Sequence, residues 1–398
     1  MTPSAAEPFM PAEGTAVLEN LAFDLAREAS ELSGQLHPTV RRSVAERVRS
    51  MNCYYSNLIE GHNTHPRDID RALEADYSSD PHRRDLQLEA RAHIEVQRMI
   101  DARDDFPRPP ASQAFIRWTH HEFCARLPES LLTVENPDTH EQLQVVPGAL
   151  RTGGVAVGHH IPPPAEDLAS FMDRFEQAYA ADRLTKPRQT IAVAAAHHRL
   201  LWIHPFLDGN GRVTRLMSHA MLQDLGVGSA LWSISRGLAR RSTDYKRLLM
   251  AADEPRKGDF DGRGALSQSA LVNFCVFFLE CCLDQVRYMR EILEPAELQR
   301  RIDLYVRDEE DAGRLPKRSF VILREALLSG DLDRGRIPRI IDASERTARR
   351  VIAALVEKRL LISESHRAPL RLGFPLDVVE RWFPKLYPMA TSVGAQEK

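Results

Sequence analysis

The chain has 398 residues, 43% hydrophobic and 27% charged, with a formal net charge of −3. At roughly 100–200 residues per domain this is an ordinary globular chain of two or three domains, and the composition argues against a disordered or low-complexity polymer. The overall charge excludes little, but its distribution is uneven: Arg314–Arg371 holds fourteen Arg/Lys against seven Asp/Glu, so this stretch carries +7 and the remainder −10. A basic module on an acidic body points to a polyanion-binding part.

Five cysteines (Cys53, Cys124, Cys275, Cys281, Cys282) are odd in number and form no CxxC pair. They argue against a disulfide framework or zinc knuckle and make a reducing cytoplasm the expected compartment. Met1–Gly14 is polar, without a basic region leading into an apolar run, so no secretory signal is expected. The longest apolar stretch, Ala270–Val286, contains Asn273, Glu280 and Asp284 and reads as a buried helix rather than a membrane span.

In chain order, helical periodicity predicts helices over Val17–Leu32, Val40–Ile59, Asp85–Ile100 and Gln113–Leu127. Pro107, Pro109 and Pro110 separate the last two. The best strand signal of the first 300 residues is Gln144–His160, where Val145-Val146 and Val155-Ala156-Val157 flank Gly148, Gly153 and Gly154; it reads as a β-hairpin. Pro162-Pro163-Pro164 ends it, and helices follow over Leu168–Ala180, Gln189–Trp202, Gly211–Leu225, Thr243–Ala252 and Ser267–Leu293. The charged stretch Glu294–Asp311 reads as a connecting helix. Beyond it come helix Lys317–Leu328, short helix Ile337–Ile341, helix Ser344–Lys358 and a ribbon of Leu360–Ile362 with Leu370–Leu372, the order of a winged helix-turn-helix. Arg346, Arg349 and Arg350 line its second long helix, suited either to a DNA groove or to a solvated face used for docking. The expected organisation is an N-terminal helical region 1–110, a helical core 111–293, a linker helix 294–313, a winged helix 314–385 and a flexible tail 386–398.

The chemistry concentrates between two apolar helices, in His204-Pro205-Phe206-Leu207-Asp208-Gly209-Asn210-Gly211-Arg212-Val213-Thr214-Arg215. Gly-Asn-Gly alone reads as a turn. Here, though, Gly209 and Gly211 open a helix whose first N–H groups are free and whose dipole end is positive, which makes an anion site. Arg212 and Arg215, three apart on one face, present two forks suited to phosphate oxygens. Asp208 offers a hard oxygen suited to Mg²⁺, and His204 a base for a hydroxyl proton. His197 and His204 share a helical face, and His120-His121-Glu122 forms another cluster; core or supporting histidines are the expected reading of both rather than a metallohydrolase site.

The twelve-residue segment resembles the signature of the Fic (Fido) family, H-x-F-x-(D/E)-G-N-G-R-x-x-R, at every fixed position. The resemblance implies a mainly α fold, a helical core with a small β flap, and transfer of AMP from MgATP to a Ser, Thr or Tyr hydroxyl of a target protein. It implies His204 as general base, Phe206 as the core anchor of the loop and Asp208 as the Mg²⁺ ligand. It implies Gly209, Asn210 and Gly211 on the α/β-phosphates, Arg212 on the β-phosphate and Arg215 on the γ-phosphate. Ser56-Asn57-Leu58-Ile59-Glu60-Gly61 at the end of the second helix is similar to the family's inhibitory (S/T)-x-x-x-E-(G/N) motif, which implies that Glu60 pairs with Arg215 in place of the γ-phosphate. Gln144, Val145, Val155, Ala156 and Val157 would form the flap that aligns a target segment. Family members pair and modify themselves, so a homodimer and self-modification are further expectations, as is the absence of a membrane partner. Removal of AMP with Glu60 positioning water, another diphosphate donor, and a DNA-binding regulator that senses ATP are the alternative readings.

Overall fold

A computed structural model describes residues 1–398 except 104–106, 136–139, 159, 229 and 388–398. Of the sequence expectations, His159 and most of the 386–398 tail lie outside the described residues.

The chain is mainly α. Helices run α1 Ala16–Gly34, α2 Pro38–Ile59, α3 Pro66–Leu73, α4 Pro81–Ala102 and α5 Gln113–Cys124. A two-stranded ribbon follows, β1 Thr133–Glu135 and β2 Gln142–Gln144, then α6 Leu168–Ala178, α7 Lys186–Ile203, α8 Asn210–Asp224, α9 Ile234–Arg240, α10 Ser242–Asp253 and α11 Gln268–Ile292. The remainder is α12 Pro295–Asp311, α13 Ser319–Ser329, α14 Ile337–Ile340, α15 Glu345–Glu357, β3 Leu361–Ile362, β4 Arg371–Leu372 and α16 Leu376–Trp382. The sequence pattern located most of these, but not α3, α9 or α16.

The chain divides into two compact units, Met1–Ser30 with Asn52–Val286, and Glu31–Met51 with Arg287–Lys398. This division does not follow the sequence-derived boundaries, because residues 31–51 and α12 group with the C-terminal elements.

In the first unit α7 is the central helix. It is buried nearly all round from Thr190 to Leu200, the pattern of a helix with no solvent face. Helices α8, α6 and α10 pack on α7, and α5 and α4 pack on α8. Sequence punctuation fixes the starts. The Asp80 carboxylate caps α4 by accepting the Arg83 N–H at 2.8 Å, with Pro81 in its first turn, and the Ser112 hydroxyl caps α5 by accepting the Phe115 N–H at 3.1 Å. Helix α11 is long and apolar enough to cross a membrane by length and composition alone; 61% of its most apolar window is buried in the fold. All five cysteines are buried.

The hairpin is not where the valine runs predict it. The ribbon pairs Thr133 with Gln144, Val134 with Leu143 and Glu135 with Gln142, so of the expected flap residues Gln144 alone lies in a strand. Among the described residues Val155, Ala156 and Val157 form no ladder with Val145, whose N–H instead donates to the Leu132 carbonyl at 2.7 Å, and an isolated bridge joins Val157 to His160. Three features compete with pairing. Pro147 has no N–H for a ladder, and Gly148 turns the chain at φ +76°. Arg151 then spends its guanidinium on the carbonyls of Gly153 and Pro163 and its Nε on that of His204, which ties the segment to the turn after α7 instead.

In the second unit α13, α14 and α15 are followed by the β3–β4 ribbon, with Leu361 opposite Leu372 and Ile362 opposite Arg371. The Ser344 hydroxyl caps α15. Trp382 of α16 is fully buried, edge-on to Tyr305 and Phe374.

Candidate functional site

The site is the turn between α7 and α8. Helix α7 ends on His204 in the left-handed region at φ +49°, a conformation that costs a non-glycine residue energy and needs to be held. Here it is held at both ends: the His204 N–H donates to the Leu200 carbonyl at 3.0 Å, and the His204 carbonyl accepts from Arg151 Nε at 2.8 Å. Burial pushes the His204 imidazole down to about 4, against partial recovery from the Leu201 carbonyl and with help from the nearby Arg151 charge. The ring is therefore neutral, and able to accept a proton, throughout the physiological range.

Phe206 is fully buried and stacks on His120, with ring centroids 3.9 Å apart and planes 5° apart. His120 Nδ1 accepts the Gly148 N–H at 2.8 Å, which leaves the proton on Nε2, 3.2 Å from the Asp208 carbonyl. One imidazole thus joins the segment around Gly148 to the loop, and burial lowers it to about 4 and keeps it neutral.

The Asn210 side chain turns to the loop backbone. Its Oδ1 accepts the Phe206 N–H at 2.9 Å and its Nδ2 donates to the Phe206 carbonyl at 2.8 Å. The side chain closes the loop on itself, and what remains for an anion is the backbone. Gly209 caps α8 at φ +79°, and the N–H groups of the first α8 turn have no partner within the helix. A Cβ on Gly211 would overlap the carboxylate of Glu60, so the absence of a side chain there is what lets a negative group rest on the helix end.

That negative group is Glu60. It follows the last residue of α2, and Gly61 at φ +89° turns the chain back. Arg215, 2% exposed, donates Nε to the Ser56 hydroxyl at 2.8 Å, and Nη2 to the Ser56 carbonyl at 3.0 Å and to Glu60 Oε1 at 2.5 Å. Burial works to raise the Glu60 carboxyl, but the Arg215 and Arg212 charges and the Arg215 hydrogen bond outweigh it and hold it below its ordinary value. Arg212 donates Nη2 to both oxygens of Asp208 at 3.2 Å and Nη1 to Glu89. The Asp208 side chain is 47% exposed. Among the described residues no three His, Cys, Asp or Glu side chains converge as a metal cage. A single open carboxylate beside an anion nest fits a Mg²⁺ ion that shares its coordination with bound phosphates and water.

His197 is fully buried between Ser218 (2.9 Å) and Tyr245 (2.8 Å), and His198 contacts the Leu249 carbonyl and Asp253; both are supporting residues. Sequence reasoning missed Glu89, His62 and Arg151. Glu89 carried a signal: it sits on the buried stripe of α4 with His93, Gln97 and Ile100, where a carboxylate needs a counterion.

A neutral imidazole, an open carboxylate, two arginines and a backbone nest thus meet at one helix N-terminus, an arrangement suited to an anion. Residues 110–222 match the family model described as Fic/DOC family. Over 79 residues it is 42% identical to the protein adenylyltransferase Fic of Drosophila erecta and to that of Drosophila melanogaster. That stretch is 20% of this chain, and the chain spans 16% of the length of these curated relatives. A Fic family protein from Desulfovibrio desulfuricans G20 shares the fold at 18% identity and TM-score 0.53, over 92% of this chain and 98% of that one. Fic-1 (aa134–508) from C. elegans does so at 15% identity and TM-score 0.53, over 71% of this chain and 74% of that one.

The His204 imidazole is predicted to stay neutral until the pH approaches about 4. Its carbon-bound proton shifts followed by NMR against pH check this; a midpoint near the ordinary 6.5 would contradict the burial argument.

Proposed function

We propose that this chain transfers AMP from MgATP to a hydroxyl side chain of a protein and holds itself inhibited through Glu60. The observation that carries the reading is the carboxylate of Glu60 lying on the Arg215 guanidinium and over Gly211 at the start of α8. A protein that places its own anion there has a site whose natural occupant is anionic. The curated relatives matched over 79 residues are named protein adenylyltransferases, which supports AMP transfer at the level of the family.

In the proposed reaction the β- and γ-phosphates take the place of Glu60, with Arg215 on the γ-phosphate, Arg212 on the β-phosphate and the first N–H groups of α8 on the α/β bridge. Asp208 would hold a Mg²⁺ ion, which would supply charge neutralisation of the phosphates. His204 takes the proton of the target hydroxyl as its oxygen bonds to the α-phosphorus; the bond from that phosphorus to the bridging oxygen breaks, and pyrophosphate leaves with its electron pair. The protein's contribution is positioning, charge stabilisation and a base worth roughly 10²–10⁴-fold. The ribbon Thr133–Gln144 and the segment from Val145 to Val157 are the surfaces proposed to align the target. The compartment proposed is the cytoplasm.

A second reading, DNA binding by the second unit as a winged helix, rests on α15, which exposes Arg346, Arg349 and Arg350; Arg349 is shared with Glu345 at 2.8 Å. Retention on duplex DNA that weakens with salt at a slope of about −0.9 per phosphate contact is expected of it, and no retention at low salt removes it.

Labelling with ATP radioactive at the α-phosphate, in cell extract with Mg²⁺, tests the main reading. Glu60→Gly should label protein about ten- to a hundredfold more strongly than wild type, the factor for losing a charge-assisted contact worth about 1.5–3 kcal/mol. Glu60→Gly with His204→Ala should not label. Equal labelling by wild type and Glu60→Gly would remove the inhibitory role, and labelling that survives loss of His204 would remove the base.

A further inference from the structure

The turn that carries Glu60 is fastened at a second point, which the signature does not contain. Two residues on, past Gly61, His62 folds back: its N–H donates to the Asn57 carbonyl at 2.9 Å, and its Nδ1 lies 2.7 Å from Glu89 Oε2. Glu89 belongs to α4, and its side chain is 1% exposed. Its other oxygen takes Arg212 Nη1. A buried carboxylate with a buried guanidinium as counterion is costly to disturb, because removing a partner leaves an unpaired charge. Glu89 is thus a fixed anchor, while His62, 35% exposed, is the part free to leave.

We propose that His62 is a positioning residue that clasps the inhibitory turn to the buried Glu89, so that Glu60 leaves the phosphate site only when this second contact also opens. The proposal rests on the AMP-transfer and inhibition reading above. The geometry favours it in two ways. The turn from Asn57 to His62 is short and closed by its own hydrogen bonds, from Glu60 N–H and from His62 N–H to the Asn57 carbonyl, so Glu60 and His62 move together. The two contacts also end on different arginines, Glu60 on Arg215 and His62, through Glu89, on Arg212. A phosphate on Arg215 therefore replaces the Glu60 contact but not the His62 contact, which must also open for the turn to leave.

The clasp is pH-dependent. The charged groups facing His62 are Glu89 from α4, Arg212 from α8 and Glu60 from its own turn. The Glu89 hydrogen bond raises the imidazole above its ordinary value against the pull of burial and of Arg212. Once the turn opens, that hydrogen bond is gone and the imidazole returns toward 6.5. The closed form therefore binds the proton more tightly. The clasp is at full strength below about 6.5 and is lost as pH rises through the higher closed-state value, so release is favoured toward alkaline pH.

The test compares wild type, His62→Ala, His62→Asn, Glu60→Gly and the Glu60→Gly/His62→Ala double variant by α-phosphate labelling between about pH 6 and 8.5, the range over which an imidazole near its ordinary value changes charge. NMR titration of His62 in wild type and in Glu89→Gln accompanies it. His62→Ala should raise labelling about two- to tenfold, the factor for one net hydrogen bond, and should add nothing in the Glu60→Gly background. The rise of wild-type labelling with pH should flatten in His62→Asn, which cannot titrate, and the raised His62 midpoint should fall in Glu89→Gln. If Glu60→Gly is active and His62→Ala matches wild type, or raises both backgrounds equally, the clasp is overturned and the inhibition reading stands. If Glu60→Gly itself does not exceed wild type, the inhibition reading fails and the clasp fails with it. A wild-type His62 midpoint at or below 6.5 also overturns the clasp.

Discussion

The carboxylate of Glu60 lies where the first turn of α8 and the guanidinium of Arg215 most favour a negative charge, and much of the first unit is arranged around that one contact. Arg215 is buried and cannot be left unpaired without cost. Ser56 supplies two of its hydrogen bonds and Glu60 the charge, so the end of α2 completes the site from outside the loop. Glycine at 211 leaves room for an anion on the helix end, and glycine at 61 turns the chain back after Glu60.

Around this contact the loop is stiff by construction. His204 is locked in a left-handed conformation by hydrogen bonds on both sides, one of them from Arg151. Asn210 closes the turn on Phe206, and Phe206 stacks on His120. All of these contacts form without a ligand, so the His204 imidazole and the backbone donors are already in place. Such pre-organisation is where electrostatic catalysis draws its advantage, since nothing need reorient as charge develops. The exposed Asp208 is different: its partner is Arg212, and a metal arriving with phosphates would compete for it.

The sequence made the helices legible because their apolar residues repeat at 3.6-residue spacing, and it made the catalytic loop legible because so many fixed residue types fall within twelve positions. It also pointed to the pairing of Glu60 with Arg215. It misled at the flap, where two valine runs around glycines suggested a hairpin at 144–160 and the ladder forms at 133–144 instead. Pairing there is decided by a long-range competitor: Arg151 binds carbonyls some ten to fifty residues away, and no local pattern announces that. Asn210, which the resemblance places on the α/β-phosphates, here has its side chain on the Phe206 backbone, a contact no local pattern announces. Glu89 and His62 were missed because their partners, Arg212 and each other, are distant in sequence, although Glu89 falls on the same buried face of α4 as Ile100.

The account stands on Glu60 holding a place meant for phosphate. The most direct measurement is a crystal structure of Glu60→Gly soaked with Mg²⁺ and a non-hydrolysable ATP analogue. The account predicts the γ-phosphate on Arg215, the β-phosphate at Arg212 with the metal on Asp208, and the α-phosphorus facing His204. Phosphates bound elsewhere, or an Arg215 that stays on Ser56 without touching the nucleotide, would contradict it.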